Sequence, residues 1–124
     1  MSIGLVHHLN IVTEKLEETR RFYVDALGLR EGWRPPFSSV GYWFYAGEVP
    51  IVHIQQAEGP VTSSHVSALN HVAFEVDDLD SLLTRLSSHG VAYEERPIRG
   101  TPIRQAFFDD PNGVRLELSY TPAG

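Results

Sequence analysis

The sequence predicts an α+β protein built from two paired βαβββ modules that form a curved mixed sheet with helices on the outer face. Three observations predict it. The order strand, helix, three strands occurs twice along 124 residues. Landmarks repeat at a nearly constant offset: His8 returns as His71, Leu16 as Leu79 and Phe44 as Phe107, each 63 residues on, and His53 as Glu117, 64 on. Each copy is too short to bury a sheet face alone, so two copies pair, whereas a solenoid would need more. Module one covers about residues 3–57, a polar linker 58–67 and module two about 68–121, within a single domain.

In module one, residues 3–12 alternate as a strand, with His8, Asn10 and Val12 on one face and Leu9 and Ile11 on the other. A helix from about Glu14 to Leu27 follows, with Thr13 as its N-cap and Gly28 as its stop. Leu16, Thr19, Tyr23 and Leu27 make its buried stripe. Strands are expected over 29–34, ended by Pro35-Pro36, then over 40–46 and 50–56 around the Gly47-Glu48 turn. Module two repeats this with a strand over 69–77 and a helix from Asp78 to His89. That helix carries Leu79, Leu82, Leu83 and Leu86 at helical spacing and ends at Gly90. Strands over 91–96, 103–109 and 114–120 complete the set, the last entered through the turn residues Asp110-Pro111-Asn112-Gly113.

Composition excludes several functions. The net charge of −6 offers no basic stripe for nucleic acid, and no apolar run is long enough to span a membrane. There is no signal-peptide pattern, and with no cysteine there are no disulfides, thiolate catalysis or zinc–thiolate sites. A cytoplasmic protein is expected, and any metal must be held by nitrogen and oxygen.

The four end strands carry the chemistry. Their apolar residues (Leu9 and Ile11, Val52 and Ile54, Val72 and Phe74, Leu116 and Leu118) share the helix-covered face. The opposite face carries His8, His53, His71 and Glu117, one per strand at repeat-equivalent positions. Three imidazoles and a carboxylate suit divalent Fe, Ni, Mn, Co or Zn, with open positions left for substrate. His53 serves either as a fourth ligand or as an acid–base group. Tyr42, Phe44, Gln105 and Phe107, matched through the repeat, are expected as pocket walls. His7 has the wrong parity, His65 lies in the linker, His89 complements a helix end, and alternation turns Arg104 away from Gln105.

The chain resembles the vicinal oxygen chelate superfamily, which includes glyoxalase, bleomycin-resistance and extradiol-dioxygenase proteins. The resemblance runs from Leu5 to Tyr120. It is carried by His8 with Phe22-Tyr23 fourteen residues later, Leu27-Gly28-Leu29, Leu69-Asn70-His71-Val72, and the stretch from Phe107 to Glu117. It implies metal ligands at His8, His71 and Glu117, with His53 at the fourth family position. Glyoxalase I enzymes carry glutamate or glutamine where His53 stands. The histidine, histidine, glutamate set is shared by extradiol dioxygenases and fosfomycin-modifying enzymes. The resulting expectation is a metal-dependent lyase, isomerase or ring-cleaving dioxygenase. One carboxylate against a divalent cation leaves about one positive charge, which favours a small oxygen-rich or aromatic substrate chelating through adjacent oxygens. A homodimer is expected as well. The alternative is a metal-free binding protein of the bleomycin-resistance type.

Overall fold

A computed structural model describes residues 2–122. The chain forms two compact units, one ending at Val61 and the other starting at Thr62. Each is a βαβββ unit with one four-stranded mixed sheet.

In the first unit, β1 (Leu9–Thr13) leads to α1 (Leu16–Arg21), which widens into a π turn over Phe22–Ala26. β2 (Arg30–Gly32), β3 (Gly41–Ala46) and β4 (Val49–Gln56) follow, and the sheet order is β1-β4-β3-β2. The pair β1–β4 is parallel and the other pairs are antiparallel. Ile11, Phe44, Val52 and Ile54 are buried beneath Thr19, Phe22, Tyr23, Ala26 and Leu27 of the helix. The π turn, closed by Leu27 N–H to the Phe22 carbonyl (3.1 Å), turns both Phe22 and Tyr23 inward, where a regular stripe provides only Tyr23.

Two expectations need correction here. The predicted strand over 3–12 pairs only from Leu9, and Ile3, Leu5 and Val6 before it are exposed. Before that point the partner strand reaches Pro50, which has no N–H to donate and whose carbonyl bonds to the His53 ring instead. Thr13 is not the N-cap: that position falls to Lys15, which makes no side-chain cap. Thr13 is fully buried at the end of β1, its hydroxyl accepting from Lys15 N–H (2.9 Å) and bonding to the Thr19 hydroxyl (3.1 Å).

The second unit has β5 (His71–Glu75), α2 (Leu79–Ser88), β6 (Glu94–Glu95), β7 (Arg104–Asp109) and β8 (Arg115–Tyr120), in the order β5-β8-β7-β6. Asp78 caps α2 through the Ser81 N–H, and the ring of His89 lies 2.9 Å from the Arg85 carbonyl at its other end. Leu79, Leu83 and Leu86 are buried with Ala106, Phe108, Leu116 and Leu118. Arg104 binds Asp80 and Glu95, so it braces α2 and the sheet edge, as alternation predicts.

The second half of the expected linker belongs to this unit. Ser64–Val66 forms a single 3-10 turn. The Ser63 hydroxyl donates to the Gly113 carbonyl (2.8 Å), Arg115 N–H donates to the Ser64 hydroxyl (2.7 Å), and His65 pairs with Asp109 (2.7 Å). The Asp110–Gly113 turn these residues grip forms as expected, with Gly113 at φ +77° and Asp110 accepting from the Asn112 and Val114 N–H groups.

Candidate metal and substrate site

Among the described residues, no three His, Asp or Glu side chains gather closely enough to hold an ion. The four predicted groups arrive as two pairs, one in each unit.

The pair in the second unit is His71, at the start of β5, and Glu117, in the middle of β8. His71 Nε2 lies 3.4 Å from Glu117 Oε1, with the carboxylate almost wholly buried and the imidazole partly exposed. A second contact orients each group. His71 Nδ1 lies 2.9 Å from Asn70 Oδ1, an oxygen that only accepts, so Nδ1 carries a proton and, in the neutral ring, Nε2 presents a lone pair. Gln105 donates from Nε2 to the other Glu117 oxygen at 2.9 Å. A lone pair and a carboxylate oxygen facing each other repel unless a cation, either a proton or a metal ion, lies between them. Bonds of about 2.0–2.2 Å to a metal put neighbouring donors about 3–3.4 Å apart, so the observed separation fits. A ligand histidine whose other nitrogen is fixed by an amide oxygen is the arrangement metal sites use.

The pair in the first unit is built differently. His53, on β4, is sandwiched between His8 (ring centroids 3.9 Å, interplanar 11°) and Trp43 (4.0 Å, 12°). Its Nε2 lies 3.0 Å from the Pro50 carbonyl, so Nε2 donates there and Nδ1 is left with its lone pair. His8 Nδ1 meets His7 Nδ1 at 3.0 Å, and its Nε2 remains available. Burial is the main cause holding the His53 pKa below the usual histidine value. The His8 charge adds to this, with smaller contributions from His7 and Arg34, while the Pro50 carbonyl acts the other way. By residue type, each unit taken by itself thus offers two groups able to ligate a divalent ion, two imidazoles in the first and an imidazole with a carboxylate in the second.

Two of the four expected pocket walls lie elsewhere. Gln105 and Phe107 do share the face of His71 and Glu117: Phe107 pairs with Glu117 across β7–β8 and meets the His71 ring edge-on (5.8 Å). Tyr42 and Phe44 do not share the face of His53. They pair with Ile54 and Val52 on the helix-covered side, where Phe44 is fully buried against Tyr23 and the Tyr42 hydroxyl donates to Glu17 (2.6 Å). The residue opposite His53 is Trp43. Trp43 with His53 and Phe107 with Glu117 both repeat at 64, so the 63-residue offset does not extend past the helix. A one-residue error moves a strand residue to the other face.

Trp43 was legible from that offset. Asn70 stood only within the Leu69-Asn70-His71-Val72 stretch, with no role of its own, and Arg34 carried no signal. Arg34 lines a cleft of about 590 Å³ in the first unit together with His8, Asn10, Phe37, Trp43, His53 and Gln55.

Two four-stranded mixed sheets, each backed by one helix and built in the same strand order, define a duplicated βαβββ fold. The chain belongs to the glyoxalase/bleomycin resistance protein/dioxygenase superfamily, whose model matches residues 5–118. It is 29% identical to the uncharacterised protein YaeR of Escherichia coli, over 95% of this chain and 97% of that protein. A putative glyoxalase family protein from Bacillus anthracis has the same fold (TM-score 0.82, 23% identity, 98% of both chains). So does the fosfomycin resistance protein FosX of Listeria monocytogenes (TM-score 0.76, 22% identity, 98% of this chain and 96% of that one). A variant of FosX was crystallised with Mn(II) and 1S,2S-dihydroxypropylphosphonic acid. No helix among the described residues is long and apolar enough to cross a membrane.

Proposed function

We propose that the protein is a metal-dependent enzyme acting on a small oxygen-rich or aromatic molecule that chelates a divalent ion through adjacent oxygens. His8, His71 and Glu117 are the ligands. The observation that carries this reading is the His71–Glu117 pair, an imidazole nitrogen and a carboxylate oxygen 3.4 Å apart, each group fixed from behind by an amide. The ion, drawn from Mn, Fe, Co, Ni or Zn, supplies Lewis acidity towards the substrate oxygens. The chain does the rest. Asn70 and Gln105 hold the ligand orientations, and Phe107 limits access of water to Glu117. His53, with Nε2 committed to Pro50, takes a substrate proton at Nδ1. Lyase and ring-cleaving dioxygenase chemistry both suit this arrangement. We assign the protein to the cytoplasm, in keeping with its lack of cysteine, and to a homodimer, which the exposed Ile3, Leu5 and Val6 ahead of β1 support.

The test is metal analysis of protein purified without chelator, followed by titration with Mn(II), Fe(II) and Zn(II). About one equivalent per chain is expected, falling sharply in His71→Ala. Oxygen consumption with a catechol then separates dioxygenase from lyase chemistry. A wild-type protein that takes up none of these ions, or a His71→Ala variant that binds them equally well, overturns the proposal. Aromatic ligands binding to such a metal-free protein would favour the sequestering alternative.

A further inference from the structure

We infer that the cleft of the first unit is a recognition site for the carboxylate of a flat aromatic molecule, with Arg34 as its anchor. The inference deepens the proposed function by naming a substrate class, and it rests on that reading only for the link to catalysis.

Of the ten residues lining this cleft, Arg34 alone carries a permanent charge. That charge is conspicuous in a chain of net charge −6. No carboxylate among the described residues pairs with it. Its guanidinium is held by Ser39 instead, donating from Nη1 to the carbonyl (2.9 Å) and from Nη2 to the hydroxyl (3.0 Å). Its Nε–H is buried and has no acceptor. An unsatisfied buried donor costs about 1–3 kcal/mol. A guanidinium resting on two neutral acceptors, with a third donor unused, is therefore ready to exchange them for a carboxylate that takes two parallel N–H bonds at once.

The walls set the shape of the rest of the ligand. The Arg34 guanidinium stacks over Phe37 (4.9 Å), and Phe37 lies 6.2 Å from Trp43, which itself stacks on His53. Asn10 and Gln55, bonded to each other at 3.1 Å, add amide groups at the edge. Aromatic faces beside a single cation favour a planar ring bearing an oxyanion over an aliphatic or cationic molecule. Phosphonates and sulfonates also take two N–H bonds from a guanidinium, but they carry a third oxygen out of the plane of that fork.

The test is titration of the full-length, metal-loaded protein with benzoate, benzamide and phenylphosphonate, monitored by intrinsic fluorescence of Trp33 and Trp43 and by calorimetry. Benzoate is expected to bind at least about tenfold more tightly than benzamide, the discrimination a charge-assisted pair provides. It is also expected to bind more tightly than phenylphosphonate, and to lose at least about tenfold in Arg34→Met with partial retention in Arg34→Lys. The wild-type comparison stands even if a variant fails to fold. Equal binding of benzoate and benzamide overturns the inference, as does unchanged benzoate affinity in a folded Arg34→Met protein. Tighter binding of phenylphosphonate assigns the cleft to tetrahedral anions and overturns the carboxylate. Repeating the benzoate titration on metal-stripped protein separates this inference from the proposed function. Discrimination that persists there supports the Arg34 site whatever becomes of the metal, and discrimination that vanishes there overturns a site anchored by Arg34.

Discussion

The two halves place different chemistry at the same point of the repeat. In the second, Phe107 faces Glu117 across an antiparallel pair and Gln105 reaches the carboxylate from two residues earlier. In the first, Trp43 faces His53 across the equivalent pair, and the ring is satisfied by a carbonyl of its own strand. One half thus sets a partly exposed imidazole against a buried carboxylate, while the other packs its imidazoles face to face beside an aromatic cleft. A duplicated scaffold has been divided between holding charge and holding a flat surface.

The sharpest way to break this comparison is through the two phenylalanines that the simple repeat equates. Phe44→Ala removes a fully buried ring from beneath α1 and should cost about 3–5 kcal/mol, read as a lowered midpoint in urea unfolding. Phe107→Ala, on the half-buried side of its sheet, should cost clearly less while weakening metal binding. Equal losses of stability would show that the two residues share one face after all. Next in size, Glu117→Gln removes the single negative charge of the donor set and should lower metal affinity by more than about 100-fold, measured by competition with a coloured chelator. Gln105→Leu leaves the carboxylate but removes the group that orients it. A loss of about 10–100-fold in metal affinity with little change in melting temperature is expected, and an unchanged affinity would reduce Gln105 to packing.

The smallest effect lies at Tyr42. The Tyr42 hydroxyl, and after it Arg20, hold the Glu17 carboxyl below its usual pKa. A depressed folded-state pKa gives stability that is present above the ordinary glutamate value and fades as the pH falls through the lowered one. Tyr42→Phe should therefore raise the Glu17 pKa towards the ordinary value in an NMR titration and flatten the acid side of the stability profile. A Glu17 curve that does not move would place Tyr42 away from the helix.

Much of the fold was legible because alternation and helical spacing are local signals. Leu79, Leu83 and Leu86, Val52 and Ile54, and Leu116 and Leu118 all fall on the face their spacing predicts. Helix and strand ends were less legible, since they depend on partners. β1 begins where Pro50 stops offering a ladder, and Thr13 ends β1 with its hydroxyl bonded to Lys15 N–H while the N-cap position falls to Lys15. At the candidate site, residue type and repeat nominated four candidate donors, but their detailed settings came from contacts that composition does not encode. Arg34 has no periodicity and no motif, and only its unpaired nitrogen reveals it. The misplacement of Tyr42 and Phe44 was avoidable: His53 and Glu117 already gave the offset that applies to the strand beside them.

Position 41 carries that asymmetry further. It is the counterpart of Gln105 in the corrected register, yet a side chain there would run into the Ile54 carbonyl. The first half therefore has no room for the arm that steadies a carboxylate in the second. Even a His53→Glu exchange would leave the new acid unsupported, so the division of labour between the halves is locked by backbone spacing and not by the identity of one residue.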